Sequence, residues 1–315
     1  MKHKAISTHE QGVAAYTRLI WLLGQPHLSD YLNFVAKKVV GGRDQDPLAL
    51  TAEWRAANDL YYDLEQAEPG IAETIDCRPI EPALAPLEAA LRANVWFRKS
   101  FDNLPTSILK VELDKIIVSQ THVESSFTEA LGKRLAAAPD EAALFNFCLP
   151  LDRPMAPVRI QRRTGDRFMF SCASNDFRPH QVRFFRPEEL EGFESIGPVA
   201  GMVGLMVGFG SNFMSAVRSN DRVVLQNGYH RAFTLRSLGF THAYIIVEEV
   251  TRKDELKLTA DDDVVADPAF YFAAKRPPML RDFFDPRLRR EFEILPSETH
   301  VEVEIQVRRT TATEL

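Results

Sequence analysis

The stretch VVLQNGYHRAFTLRSLGFTHAYIIVEEV, residues 223–250, constrains the fold more than any other part of the chain. Val223, Val224 and Leu225 make a short apolar strand, which Gln226 and Asn227 end. Asn227 is a favoured N-cap type, so the spacing predicts a helix start just after it. Ala232, Leu235 and Leu238 then recur at helical spacing, and Gly239 supplies the usual C-terminal stop. AYIIV (243–247) is an apolar run suited to a covered parallel strand. A strand–helix–strand unit of this kind favours a right-handed crossover between parallel strands.

The start of that helix carries the chemistry. Its first amides have no acceptor within the helix, and the helix dipole places positive charge there. Gly228 lets a ligand approach the backbone closely. His230 and Arg231 add side-chain donors, and a guanidinium can hold a phosphate through two N–H groups. Together Asn227, Gly228, Tyr229, His230 and Arg231 are candidates for a phosphate site. The same residues admit a purely structural reading. Tyr229 would then pack in the core, His230 would bond a neighbouring loop, and Arg231 would pair with Glu248 or Asp221.

The first hundred residues read as helical. In GVAAYTRLIWLLG (12–24) apolar residues crowd nearly every side, which predicts a buried helix. Further helices are expected over 28–42, with Ser29 as N-cap, over 51–67 and over 82–101. Trp54, Ala57, Tyr61 and Leu64 share one face of the third. SILKVELDKIIVSQ (107–120) reads as a strand and a second short extended piece, and 125–149 returns to helix. Residues 156–172 read as a hairpin turning at Thr164-Gly165-Asp166, and 180–185 as a further strand. The glycine-rich 204–210 lacks the Lys-Ser/Thr ending of a P-loop and reads as an apolar loop or helix start. NFMSAVRS (212–219) reads as a short helix. HVEVEIQVRR (300–309) is the cleanest amphipathic strand, with Val301, Val303, Ile305 and Val307 on one face.

Composition narrows the function classes. The chain has 315 residues, 45% of them hydrophobic and 26% charged, as in a globular protein with a core. A formal net charge of −6 argues against broad nucleic-acid binding, which depends on positive charge at phosphates. Arginine-rich segments at 158–167 and 178–186 read as solvated strand faces. Cys77, Cys148 and Cys172 are scattered, without zinc spacing or a disulfide pattern, so neither a structural zinc site nor a disulfide framework is expected. The acidic triplet Asp261-Asp262-Asp263 reads as an exposed loop. No apolar run is long enough to span a bilayer as a helix, and the cytoplasm is the expected location.

At this point the residues carry a resemblance. LQNGYHRAFTLRSLGFTHAYIIV resembles the signature of the ParB/sulfiredoxin-like superfamily, in which a strand runs into a Gly-x-x-Arg turn opening a helix. LKVELDKIIVSQTHVE (109–124) is similar to the other half of that pattern, a strand, an Asp-Lys-Ile turn and a short extended segment. The resemblance covers the two ends of about residues 107–250; the stretch 125–210 is longer than the compact family core. It implies a nucleotide or phosphate site on Gly228, His230 and Arg231, with residues 120–124 nearby. Members include nucleotide-dependent sulfinic-acid reductases, a CTP-binding partition switch and small-molecule kinases. Tyr229 stands where sulfiredoxins carry the reactive Cys, which removes the nucleophile of that chemistry. No helix-turn-helix reader follows residue 250, which argues against DNA partitioning.

The resulting expectation is an α+β fold. A helical N-terminal region (1–105) packs on a ParB/sulfiredoxin-like mixed α/β core (106–250), and an extension (251–315) returns a strand. Three functions stay open. One is an enzyme of phosphoryl transfer or nucleotide hydrolysis, using a nucleoside triphosphate with Mg²⁺, with His230 on the phosphates and Glu124 or Asp114 as base or metal ligand. The second is a nucleotide-sensing regulator whose helical region meets a protein partner. The third is an interaction scaffold with a closed pocket.

Overall fold

Leu19, Ile20, Trp21 and Leu22, expected in a buried helix, lie in a β-strand and are at most 7% exposed. An apolar run covered on both sides satisfies either conformation locally; the neighbours decide. Here the strand is paired on both edges, by residues 289–294 and by residues 122–124. Residues 12–15 of the expected helix lie outside the described residues. The structure is a computed structural model, and it describes residues 16–25, 27–135, 138–152, 155–164, 166–174 and 176–309.

In chain order, β1 (Thr17–Leu22) leads to α1 (Leu28–Lys38), α2 (Pro47–Ala67), β2 (Cys77–Pro79), α3 (Ala85–Ala93) and α4 (Val95–Phe101). Then come β3 (Thr106–Glu112), β4 (Ile117–Val118), β5 (His122–Glu124), α5 (Ser125–Arg134) and α6 (Glu141–Cys148). Strands β6 (Arg159–Arg163), β7 (Arg167–Cys172), β8 (Phe177–Phe185) and β9 (Met202–Phe209) follow. After them come β10 (Ser215–Ser219), β11 (Arg222–Asn227), α7 (Tyr229–Ser237) and β12 (His242–Glu249). The chain closes with α8 (Lys253–Thr259), α9 (Asp262–Ala266), α10 (Pro268–Phe272), β13 (Arg289–Ile294) and β14 (Thr299–Glu304).

The chain divides into two compact units. The first joins residues up to Leu151 with Asn212–Pro296, and the second joins Asp152–Ser211 with residues from Ser297 on. The first holds a six-stranded mixed sheet, order β2-β3-β12-β10-β11-β4, and the three-stranded sheet β13-β1-β5. The fold is therefore mixed α/β of the α+β class, with β1 and β2 interrupting the expected all-helical start. Ala243, Tyr244, Ile245, Ile246 and Val247 of β12 are fully buried at the sheet centre, as the AYIIV run predicts.

Several elements differ from expectation. Residues 212–219 form β10 rather than a helix: Ala216 and Val217 sit between β11 and β12, where two ladders outweigh local preference. Because β10 is parallel to β12 and antiparallel to β11, β11 and β12 run in opposite directions, so the expected parallel crossover is replaced. The helix expected over 82–101 breaks at Asn94, whose side chain caps α4 by accepting from the Trp96 and Phe97 amides. His27, not Ser29, is the N-cap of α1. The Asp261–Asp263 triplet is exposed as read, but it heads the short α9.

The second unit contains the sheet β14-β7-β6 and the two-stranded ribbon β8-β9. The expected hairpin is β6–β7; Gly165 at its turn lies outside the described residues. The glycine-rich 204–210 falls largely in β9, where Gly204 and Gly208 lie opposite Arg183 and Arg178. β14 stops at Glu304, short of the expected 309.

Candidate functional site

The turn between β11 and α7 is built around a glycine. Gly228 has φ 98 and ψ 19, a left-handed conformation that other residues adopt only with strain. A Cβ there would also lie 2.5 Å from Met214 Cγ. Asn227, the expected cap, is diverted: its Nδ2 donates to the Phe213 carbonyl at 2.9 Å. Gly228 is itself the N-cap and has no side chain to offer, so the first helical bond is from the Ala232 amide to the Gly228 carbonyl. The amides of Tyr229 and His230 therefore have no acceptor among the described residues. Those open donors sit at the positive end of the helix dipole.

The side chains of the turn point in different directions. Tyr229 is buried, and its hydroxyl donates to the Leu225 carbonyl while lying 2.6 Å from Ser119 Oγ. Burial first, and Asp261 second, push the phenol well above its ordinary range, so it stays protonated. His230 Nε2 accepts from the Glu124 amide at 3.1 Å, which leaves the ring hydrogen on Nδ1 and the imidazole neutral. Burial, helped by His122 and Arg231, lowers its pKa to about 4. The Phe127 ring meets it edge-on at 5.2 Å.

Arg231 faces inward and is 6% exposed. It donates to the Cys148 carbonyl at 2.6 Å and to Asn212 Oδ1 at 3.3 Å. These are the places where the first unit is left and re-entered, at the end of α6 and before β10. The guanidinium therefore fastens the chain around the turn, and the expected partners Glu248 and Asp221 are not among these contacts. Glu248 instead accepts from Thr259.

The two expected carboxylates separate. Glu124 lies at the turn, its amide on His230, and its carboxyl is raised by burial. Asp114 pairs with Arg236 in the last turn of α7. That end is roughly 10 Å along the helix from the Gly228 turn. The structure thus brings together Gly228, Tyr229, His230 and Glu124 and leaves Asp114 apart.

His122 completes the group. Its ring stacks on Trp21 at 5.6 Å, and its Nδ1 is buried without a hydrogen-bond partner among the described residues. Burial lowers its pKa as well. Gln120 bonds back to the His122 carbonyl. Ser119 and Phe127 could not be read from the sequence, because neither spacing nor residue type ties them to a turn more than a hundred positions away. His242, elsewhere in the chain, pairs with Asp76 at 3.2 Å.

A cleft of about 700 Å³ lies elsewhere, lined among others by Asp76, Cys77, Arg218 and Glu249. Its charges largely satisfy one another, with Arg218 2.5 Å from Glu249 and Asp76 bound to Arg78. Among the described residues no three His, Cys, Asp or Glu side chains are grouped to hold a metal ion. No described helix is long and apolar enough to cross a membrane. Comparison with protein-family models, with curated proteins and with solved structures finds no match to this chain.

Proposed function

We propose that the chain binds a phosphate group, carried by a nucleotide or another small phosphorylated ligand, at the N-terminus of α7 on a ParB/sulfiredoxin-like domain. The observation that carries this reading is the uncapped helix start, with the Tyr229 and His230 amides open after a left-handed Gly228 that packs on Met214. His122, which acts electrostatically on His230, adds a buried Nδ1 without a hydrogen-bond partner among the described residues, and such an atom gains from a ligand that supplies one. Main-chain donors and the helix dipole hold the anion. His230 is neutral and contributes shape and its Nδ1–H, while Arg231 contributes at a distance.

If the ligand is turned over, Glu124 is the carboxylate at the turn and serves as base, or joins the phosphate oxygens on Mg²⁺. Asp114, committed to Arg236, is released from that role. The buried, hydrogen-bonded Tyr229 supplies no thiol, so sulfinate reduction falls outside this reading. A second reading, a nucleotide-sensing regulator without turnover or an interaction scaffold, is favoured by the inward commitment of Tyr229 and Arg231.

Melting temperature against nucleotides, pyrophosphate, phosphate and sulfate, with and without Mg²⁺, tests the site. A ligand at a hundred times its Kd adds about 2.7 kcal/mol. The expected shift disappears in Gly228→Asp combined with Met214→Ala, whose new carboxylate caps the amides, and persists in Met214→Ala alone. No shift with any anion refutes the proposal. A shift without product in a turnover assay selects the regulator.

A further inference from the structure

The second unit carries a ribbon and a tail that match each other; β8 touches β14, but Val182, Phe184 and Val203 of the ribbon and Ile305 and Val307 of the tail are exposed. On the β8–β9 ribbon, Phe184 lies opposite Val203 and Val182 opposite Leu205. That face bears no charge, and Val182, Phe184 and Val203 are each more than half exposed. The connecting loop 187–201 contains Glu188, Glu189, Glu191 and Glu194 and no Lys or Arg. Glu189 pairs with Arg183; Glu188, Glu191 and Glu194 have no ion-pair partner among the described residues. The ribbon is thus apolar along one face and acidic at its tip. Among the described residues it has only two strands, so each has an edge outside any ladder, and such a ribbon is weakly stable by itself.

The tail has the opposite character. The alternation begun in β14 continues in sequence through Ile305, Gln306, Val307, Arg308 and Arg309. The ladder does not continue, because its partner β7 begins at Arg167, opposite Glu304. Ile305 and Val307 are left exposed, Val307 at 91%. Neither Arg308 nor Arg309 has a carboxylate partner among the described residues; Arg308 bonds only the neighbouring Gln306 side chain. This is a basic segment with period-2 alternation of apolar residues, the type of sequence that a free sheet edge accepts as a strand.

We propose that the segment 305–309 of one copy adds as a strand to the β8–β9 ribbon of a second copy, and that the exchange is reciprocal, closing a two-fold dimer. Ile305 and Val307 then continue the apolar face of Val182, Phe184 and Val203 as cross-strand neighbours, and Arg308 and Arg309 meet the glutamates of the loop. A chain's own tail stands exposed off its ribbon, which makes the second copy the occupant. The acidic tip disfavours a nucleic acid or an anionic membrane in that place. The segment is short, so the dimer belongs to the small, salt-sensitive class of interfaces.

Sedimentation equilibrium at low salt, over a range of protein concentrations, tests this with two reversed chains. One carries Glu188→Lys, Glu191→Lys and Glu194→Lys; the other carries Arg308→Glu and Arg309→Glu. All substituted positions are exposed, and circular dichroism confirms that each variant folds. The wild-type chain is expected to dimerise. Each reversed chain alone should associate at least tenfold more weakly, and an equimolar mixture of the two should dimerise again, since each ribbon then meets a complementary tail. A wild-type chain that stays monomeric overturns the proposal. So does a dimer indifferent to both reversals, or a mixture that fails to associate, which would mean that the tail docks within its own chain.

Discussion

Arg231 was readable as a cation at a helix start, yet its direction was not. The sequence places it after Gly228; only the folded chain places the Cys148 carbonyl and the Asn212 side chain where its guanidinium ends. Replacing it with Ala leaves those acceptors without this donor, and the expected loss is about 2 kcal/mol in urea unfolding. An unchanged midpoint would mean that the inward contacts contribute nothing. His230 makes a second prediction. Its pKa falls from the ordinary 6.5 to about 4 because it is buried neutral. The unfolded chain takes up a proton through pH 6.5 while the folded chain does not until about pH 4. Stability therefore drops as pH falls across that window, by at most roughly 3 kcal/mol. His230→Gln should flatten the slope between pH 6.5 and 4 in denaturant titrations; an equal slope would contradict the assignment. Gly228 was legible as the turn glycine, but its positive φ and its contact with Met214, which put any other type there under strain, were not.

At the scale of elements, the helix α7 and the strands beside it were legible, because their periodicity, turn residues and apolar runs agree. What failed were elements whose state is set by partners far away in sequence. β1 is an apolar run that suits a helix or a strand, and β13, which pairs with it, begins at Arg289. β10 has a helix-like composition and becomes a strand because β11 and β12 supply two ladders at once. Asn94 shows the converse, a local signal overlooked inside a continuous Leu stripe. It accepts from the Trp96 and Phe97 amides and so restarts the helix. Asn94→Ala is expected to destabilise the protein by about 1 kcal/mol in equilibrium unfolding. A change within a few tenths would show that the break is held by packing instead.

For the whole molecule, the sequence reading placed segments 1–105, 106–250 and 251–315 side by side, whereas the first unit threads all three together. β1, β5 and β13 form one sheet, and Arg276 of the last segment, itself in a buried ion pair, also reaches the end of α2. Arg276 holds Asp282 with two 2.6 Å bonds, both residues at most 3% exposed, and reaches Glu68 at the end of α2. The fastening was invisible in the sequence because Glu68 and Arg276 are more than two hundred positions apart. Asp282→Ala leaves the buried guanidinium and the Met279 amide without this carboxylate, and the expected loss is of order 3–5 kcal/mol in thermal unfolding. The double change Arg276→Met with Asp282→Leu should recover much of that loss. A single variant as stable as the parent would remove the ion pair from the account.

The central claim is that main-chain donors at the start of α7 hold an anion. The most direct measurement is the amide nitrogen–proton NMR spectrum during titration with pyrophosphate at low salt. The account predicts that the Tyr229 and His230 amides shift saturably, ahead of amides elsewhere, and that sulfate competes. Shifts confined to other parts of the chain, with Tyr229 and His230 unmoved, would contradict it.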